Sequence, residues 1–286
     1  MTLPIRLASI ALVLLLALPV AAQPRDSALP RASPSASISQ TIGITDVTVT
    51  YGRPAARDRE IFGGLVPFGD VWRTGADEAT TISFSTDVEI EGQSLPAGTY
   101  GLFTLPTRDN WTIIFNSVSD QWGAYQYDAD SDVLRVTVRA EREVHTERLT
   151  VSFDEFDNEG GVMAIRWADV RVPIQIGVDT PANVAGAADR SVGEATDWRV
   201  PYRYAAYALR VGGPLASAAG WADRAVAIEA NYFTLSTQAR LRAARGDFAG
   251  AVTAGERAVA AAGSQAQPPA DLDRFRDELG EWRSRS

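Results

Sequence analysis

The chain has 286 residues, of which 45% are hydrophobic, so it is long and apolar enough for two domains with separate cores. Its formal net charge of −9 argues against a nucleic-acid partner, because neutralising phosphates requires a basic face. It contains no cysteine and no lysine, which excludes disulfides, thiolate metal sites, Schiff-base lysine chemistry and the P-loop lysine.

Residues 1–22 have the pattern of a signal peptide. Arg6 gives a basic start, an apolar run follows from residue 7, and small residues end the segment at a plausible cleavage site. The run is too short to be preferred as a permanent membrane helix. We therefore expect a periplasmic or secreted protein with no transmembrane segment after signal removal. Residues 23–40 are rich in Pro, Ser and Ala without periodicity, which predicts a disordered spacer.

Residues 41–177 alternate between apolar and polar side chains, as Val47, Val49 and Tyr51 illustrate. About nine such short segments are separated by clusters of Gly, Pro, Asn and Asp. This pattern predicts an antiparallel β-sandwich. Pro173 lies inside the last predicted strand, which places that strand at a sheet edge or a bulge because proline cannot donate to the ladder.

Residues 178–196 are predicted to be a linker, and the period becomes helical over 197–286. The predicted helices lie at about 198–211, 215–230, 233–245, 248–262 and 270–284. The motif at Asp223–Val226 recurs as Glu256–Val259, an offset that is typical of tetratricopeptide-like hairpins. Two such hairpins are few for a free-standing array. We therefore expect the helical tail to contact the β-domain or a cell-envelope protein.

An irregular insert, Gly52 to Thr80, separates the first two predicted strands. Connections of this length are uncommon in compact domains and are often functional. The insert holds a high density of charged side chains around the apolar stretch IFGGLVPFGDVW. These charged residues are Arg53, Arg57, Asp58, Arg59, Glu60, Asp70, Arg73, Asp77 and Glu78.

Several uncommon blocks occur in one order: YGRP, VWRTGADEAT, LPAGTYGLF, WTIIFN and QWGAYQY. They resemble a family of exported bacterial proteins that is known only as a domain of unknown function, over residues 39 to 177. The helical tail is similar to the tail that some members carry. The resemblance implies a fold and an exported setting, but no activity, substrate or cofactor. The family usually has Asn where this chain has Asp77, which questions any role that requires an amide donor there, and it often has Lys at the position of Ser117.

The stretch WRTGADEA has two interpretations. A turn at Gly75 would bring Arg73 and Asp77 within ion-pair distance, which would make the stretch a structural clamp for the insert. Asp77 and Glu78 are consecutive, so in a strand they would point to opposite faces and would not form a carboxylate pair. Alternatively, Arg53, Arg59 and Arg73 converge on an anionic or hydroxyl-rich ligand, with Trp72 as a stacking wall.

Aromatic residues give a second candidate site. Trp111, Trp122, Tyr125 and Tyr127 lie in and after one predicted strand. Core packing accounts for most aromatics at strand spacing, but exposed rings also form sugar-binding platforms. Trp122 and Tyr125 are the better platform candidates because they lie in a predicted loop.

Asp128, Asp130 and Asp132 alternate in the way that calcium-binding loops require. An EF-hand would have Gly at position 133 and Glu at position 139, where this chain has Val and Arg, so an EF-hand is excluded. A looser calcium site and an ordinary acidic hairpin tip are both compatible with the spacing. No other metal and no cofactor is expected.

These observations favour an exported, non-catalytic binding protein that uses the insert to hold a small polar, anionic or carbohydrate ligand or a cell-envelope partner. A carboxylate-dependent glycan hydrolase is the first alternative, because Asp58, Glu60, Asp70, Asp77 and Glu78 could supply two carboxyls. A structural scaffold whose helical tail contacts another protein is the second alternative.

Overall fold

A computed structural model describes residues 29–265 and 267–286, so the predicted signal peptide lies outside the described residues. Ten strands precede six helices, and the predicted mainly-β then α architecture is confirmed. Among the helices that are described, none is long and apolar enough to cross a membrane.

The strands form two antiparallel sheets. The first has six strands in the order β1-β2-β3-β6-β7-β8, and the second has four in the order β5-β4-β10-β9. The strands are β1 (Ser35–Ile42), β2 (Thr45–Gly52), β3 (Thr81–Phe84), β4 (Val88–Ile90), β5 (Gln93–Leu95), β6 (Gly98–Pro106), β7 (Asn110–Asn116), β8 (Asp132–Arg139), β9 (Glu141–Asp154) and β10 (Gly160–Gly177).

One hydrophobic core lies between the two sheets. Val47 and Ile82 from the first sheet belong to the same buried cluster as Ile165 and Ile174 from the second. Alternate residues of β2 are buried and the others are partly or fully exposed, as the period-two pattern predicts. The β-sandwich is therefore confirmed.

The predicted spacer 23–40 is wrong at its C-terminal end, because residues 35–40 belong to β1. Ser35–Ile42 pairs in full with β2, and Ala36 and Ile38 pack against the core. The side chains of β1 are mostly small and polar, so the backbone ladder rather than apolar alternation specifies this strand. Residues 23–28 lie outside the described part of the chain.

The last two predicted strands are one continuous strand, β10. It pairs with β9 from Val162 to Arg171 and with β4 at Ile176 and Gly177. Pro173 lies between these two paired segments, so its missing N–H removes no ladder hydrogen bond. Irregularities of register on both sides of Ala168 bend the strand in the paired part.

The predicted linker 178–196 is also wrong, because most of it is helix α1 (Thr180–Gly193). The Asp179 side chain caps this helix by accepting a hydrogen bond from the Ala182 N–H. Val184, Ala188 and Val192 recur every fourth residue and are buried. The high Gly and Ala content hides this short apolar stripe in the sequence.

The other helices follow the predicted boundaries closely. They are α2 (Arg199–Val211), α3 (Leu215–Ile228), α4 (Tyr232–Ala244), α5 (Phe248–Gly263) and α6 (Leu272–Arg283). The starts of α2 and α4 are separated by 33 residues, as are those of α3 and α5, so two helical hairpins repeat with a period about one residue shorter than the tetratricopeptide period. Gly246 adopts a left-handed conformation, with φ 83°, in the turn between α4 and α5.

Helix α6 closes the end of the helical array. Its apolar face, with Phe275 and Leu279, packs in the same core as α4 and α5. The Asp271 carboxylate accepts hydrogen bonds from the Tyr232 hydroxyl at 2.8 Å and from the Arg240 guanidinium at 2.9 Å. Burial raises the pKa of the Asp271 carboxyl, but these hydrogen bonds outweigh it and hold that pKa below its ordinary value. The carboxylate therefore links α6 to α4.

Replacing this carboxylate should make stability less sensitive to acid. Because the folded pKa of Asp271 is lowered, its stabilisation is present above the unfolded pKa of about 3.9 and is lost as the pH falls through the folded value. We expect Asp271→Asn to cost about 1–2 kcal/mol at neutral pH. Urea unfolding should show that this cost shrinks below about pH 4.

Asp273→Asn is the matched control, because Asp273 lies in the same helix and is almost fully exposed. Its effect should stay within about 0.5 kcal/mol at every pH. If Asp271→Asn loses stability with acid as steeply as the unsubstituted chain, the proposed link is contradicted.

Candidate functional site

The insert is attached to both sheets of the sandwich. Near its start, Ala56 N–H donates to the Glu147 carbonyl of β9 at 2.7 Å. Near its end, Trp72 and Thr104 of β6 exchange backbone hydrogen bonds of 2.7 and 2.9 Å. Strand β3 pairs with β6 only as far as Gly101, so Trp72 continues the ladder beyond the end of β3.

Trp72 is a core residue. Its ring stacks on Trp167 with centroids 5.8 Å apart, and it also contacts the edges of Phe62 and Trp111. Its indole N–H donates to the Gly75 carbonyl at 3.1 Å, which closes the turn that follows. Trp72 is only 7% exposed, so it forms a wall that is fixed by packing.

Four residues of the insert that are not glycine have a left-handed backbone: Arg57 (φ 52°), Asp58 (φ 57°), Thr74 (φ 55°) and Asp77 (φ 65°). Thr74 is β-branched and fully buried, which makes this conformation exceptional. Its hydroxyl lies 3.2 Å from that of Thr104, and its carbonyl accepts a hydrogen bond from the Thr80 hydroxyl at 2.9 Å. Backbone strain of this kind concentrates at functional sites. The left-handed conformation at Asp77 suits Asp and Asn alike.

A cavity of about 360 Å³ opens between the insert and the second sheet. Its lining comes from residues 32–33, 54–55, 57, 59, 65–66, 72–73 and 75–77 and from Trp167. Three arginines line it, Arg57, Arg59 and Arg73, together with one acid, Asp77. The cavity is therefore cationic although the whole chain carries a net charge of −9.

Two residues that line this cavity each have a buried side-chain donor with no acceptor among the described residues. These donors are the Nε atom of Arg73 and the indole Nε1 of Trp167. Within the described residues only one other buried side-chain polar atom lacks a partner, the Oε1 acceptor of Gln121. Buried polar groups are nearly always paired, so two orphan donors on residues that line one cavity point to a missing acceptor.

The predicted ion pair between Arg73 and Asp77 is not formed. Neither side chain makes a hydrogen bond or an ion pair with any described residue, although both residues line the cavity. In contrast, the Arg59 guanidinium donates to the carbonyls of Ala55 and Ala56 at 2.5 and 2.9 Å. The turn is held by backbone bonds and by Trp72 rather than by its charged side chains.

The chain before β1 forms one edge of the cavity. Ala32 and Ser33 line it, and the Pro34 carbonyl accepts a hydrogen bond from the Arg53 N–H at 2.9 Å. Arg31 makes a two-point contact with the Glu78 carboxylate, at 2.9 and 2.8 Å. We call residues 29–34 the strap, because this ion pair fastens them to the insert beside the cavity.

Several residues that were predicted for the site lie elsewhere. Arg53 donates to the Leu149 carbonyl and the Thr150 hydroxyl of β9, so it ties the insert to the sheet. The Glu78 carboxylate is paired with the Arg31 guanidinium. Trp122 and Tyr125 are 46% and 86% exposed, as a platform requires, but they do not line the cavity. The sugar-platform hypothesis therefore concerns a separate surface.

The three alternating aspartates do not form a calcium site. Asp132 accepts hydrogen bonds from the Tyr127 hydroxyl and the Arg135 guanidinium, both at 2.6 Å. Asp128 accepts from the Asp130 N–H and caps a short 3-10 helix. Across the described chain, no group of three or more acidic or histidine side chains could hold a metal ion. The stretch is a hydrogen-bonded loop before β8.

Arg57 and Trp167 line the cavity but were not among the predicted site residues. Arg57 is one residue of a charged run, and nothing in its spacing distinguishes it from Arg53. Trp167 lies in the region with a period of two, where the sequence gives no sign that separates it from a core residue. Ala168, which follows it, has a left-handed backbone at the irregular register of β10, and this irregularity is not visible in the sequence.

The fold and the cavity define a two-part protein, a β-sandwich with a cationic cavity followed by helical hairpins. Residues 33–176 match the family described as "Protein of unknown function (DUF2911)", and this match covers half of the chain. The chain belongs to this family, so the resemblance stated above is confirmed. No curated protein and no solved structure matches it.

Breaking the ion pair between Arg31 and Glu78 should loosen the strap and expose the edge of the cavity that the strap forms, without unfolding the sandwich. Glu78→Gln removes one charge of a partly buried ion pair, so we expect a loss of stability of about 1 kcal/mol at most. Hydrogen exchange at residues 29–34 should become faster, while exchange in β2 and β6 stays slow.

Glu143→Gln is the matched control, because it removes the carboxylate that pairs with Arg166 on β10. It should leave exchange in the strap unchanged. Equal exchange in the strap for Glu78→Gln and for the unsubstituted chain would contradict the fastening role of this ion pair.

Proposed function

We propose that this protein is a non-catalytic binding protein that holds a small ligand with an anionic, oxygen-rich group in the cavity beneath the insert. One observation carries the proposal: Arg73 and Trp167 both line this cavity, and each has a buried donor with no acceptor in the described chain. A carboxylate, phosphate or similar group supplies such acceptors.

The energetics of these donors favour a binding role. Leaving a buried donor unpaired costs about 1–3 kcal/mol, and more when the group is charged. A purely structural clamp would remove this cost by pairing Arg73 with Asp77. Because the fold keeps both side chains unpaired on one cavity, their charges are available to a ligand.

The charge distribution supports the same conclusion. Arg57 and Arg73 have guanidinium groups with no hydrogen bond or ion pair among the described residues, and Arg59 adds a third positive charge. Positive charge inside a concave site attracts anions even when the whole protein is acidic. The walls that Trp72 and Trp167 provide are rigid, which lowers the entropic cost of binding.

Hydrolysis of glycans has less support. Two carboxyls facing one cleft are needed for that chemistry. Asp77 is the one acid on the cavity within the described residues, and Glu78 is paired with Arg31. Asp58 and Glu60 line a wider groove with His145 and Asp169, on the other side of Arg59, so the carboxyls of the insert that lie together are outside the cavity.

The setting and the tail complete the proposal. The pattern of residues 1–22 favours export to the periplasm or beyond, where a small soluble ligand would be captured. Helix α1, which precedes the helical hairpins, is attached near Thr45, at the opposite end of β2 from the insert, because the Asn183 side chain contacts the Thr45 and Thr86 hydroxyls. The tail therefore begins away from the insert, and it would offer a surface to an envelope protein.

Arg73→Met tests the proposal. Removing a partly buried and unpaired charge should leave the free protein as stable as before or stabilise it by about 0.5–2 kcal/mol. The same change should abolish the thermal stabilisation that phosphate or dicarboxylate anions produce in the mature chain, residues 23–286. The measurement is a thermal-shift screen with anions, sugars and calcium.

Arg53→Met is the matched control, because Arg53 is the neighbouring arginine whose guanidinium is fully engaged with β9. It should lower stability by about 1–3 kcal/mol and leave anion binding intact. If Arg73→Met destabilises the free protein as much as Arg53→Met does, Arg73 is a structural clamp and the proposal fails.

A further inference from the structure

We infer that the ligand of this cavity is an amine-bearing anion, a small molecule that carries an oxyanion and a protonated amine. This inference rests on the proposed function and specifies its ligand class. It follows from the presence of two opposite charges on one cavity, both without partners: the guanidinium of Arg73 and the carboxylate of Asp77.

An anion without an amine would pair with the donors of this site but would leave the Asp77 carboxylate without a partner. Its oxyanion would accept hydrogen bonds from Arg73 and Trp167, but it would also be placed in a small cavity with the unpaired carboxylate of Asp77. Like charges in a poorly hydrated site repel each other. A ligand amine that donates to Asp77 converts this repulsion into attraction, and a bound amine-bearing anion thus satisfies both ends of the site.

The backbone conformation keeps the Asp77 carboxylate from forming an ion pair with Arg73. Its left-handed conformation is held on one side by its carbonyl, which accepts a hydrogen bond from the Gly123 N–H at 3.1 Å. On the other side, Glu78 is fastened to Arg31, and the Ala79 N–H donates to the Gln121 carbonyl at 3.0 Å. Arg73 and Asp77 are therefore positioned apart, with no ion pair between them.

The size of the cavity limits the ligand further. About 360 Å³ lies near the lower end of the range for small-molecule sites. This volume suits a single amino acid or a phosphorylated amine, and it is too small for an oligosaccharide.

The test compares probes that differ only in the amine. Isothermal titration calorimetry on the mature chain would use O-phosphoethanolamine against ethyl phosphate, and glutamate against glutarate. We expect the amine-bearing member of at least one pair to bind about tenfold more tightly than its partner. Asp77→Asn should remove this preference, since it deletes the charge and keeps a residue that tolerates the left-handed backbone.

Asp70→Asn controls for net charge, because Asp70 is an exposed acid of the same insert that does not line the cavity. It should leave the preference unchanged. Equal or tighter binding of the amine-free members overturns the inference and leaves anion binding in place. A preference that survives Asp77→Asn overturns the role of Asp77. If neither member of any pair binds, the proposed function fails together with the inference.

Discussion

The reciprocal backbone hydrogen bonds between Trp72 and Thr104 are the constraint on which the rest of the site depends. They extend the ladder of β6 past the end of β3 and so fix the C-terminal half of the insert on the first sheet. The N-terminal half is bonded to β9 of the second sheet through Ala56. The apolar residues Ile61, Val66 and Trp72 of this anchored loop pack into the core, and the cavity lies beside them, between the insert and the second sheet.

The same anchoring accounts for the strain and the unpaired groups. With Trp72 stacked on Trp167, the short turn that follows must reverse within a few residues, and Thr74 and Asp77 take left-handed conformations to do so. This backbone holds Arg73 and Asp77 apart. One place in the fold therefore lacks an ion pair between Arg73 and Asp77 and has two donors without acceptors. Natural structures tolerate such unpaired groups mainly where a ligand supplies the missing partners.

The insert and the helical tail are attached at opposite ends of the sandwich. The insert and the strap lie at the Gly52 end of β2, and the first helix attaches at the Thr45 end through Thr180 and Asn183. A strand of eight residues separates them by roughly 25 Å. The attachment point of α1 is therefore distant from the cavity.

The elements with a strong period could be predicted from the sequence: the strands of the sandwich core, the two helical hairpins and their 33-residue repeat. These depend on local alternation and spacing, which are visible in a single chain. Strand β1 and helix α1 could not be predicted, because small and polar residues in these elements carry little periodic signal. The site became visible only in the folded chain. Arg53 and Arg57 look alike in the sequence. After folding, the guanidinium of Arg53 lies within hydrogen-bond distance of the Leu149 carbonyl and so ties the insert to β9, whereas Arg57 has no such acceptor and lines the cavity.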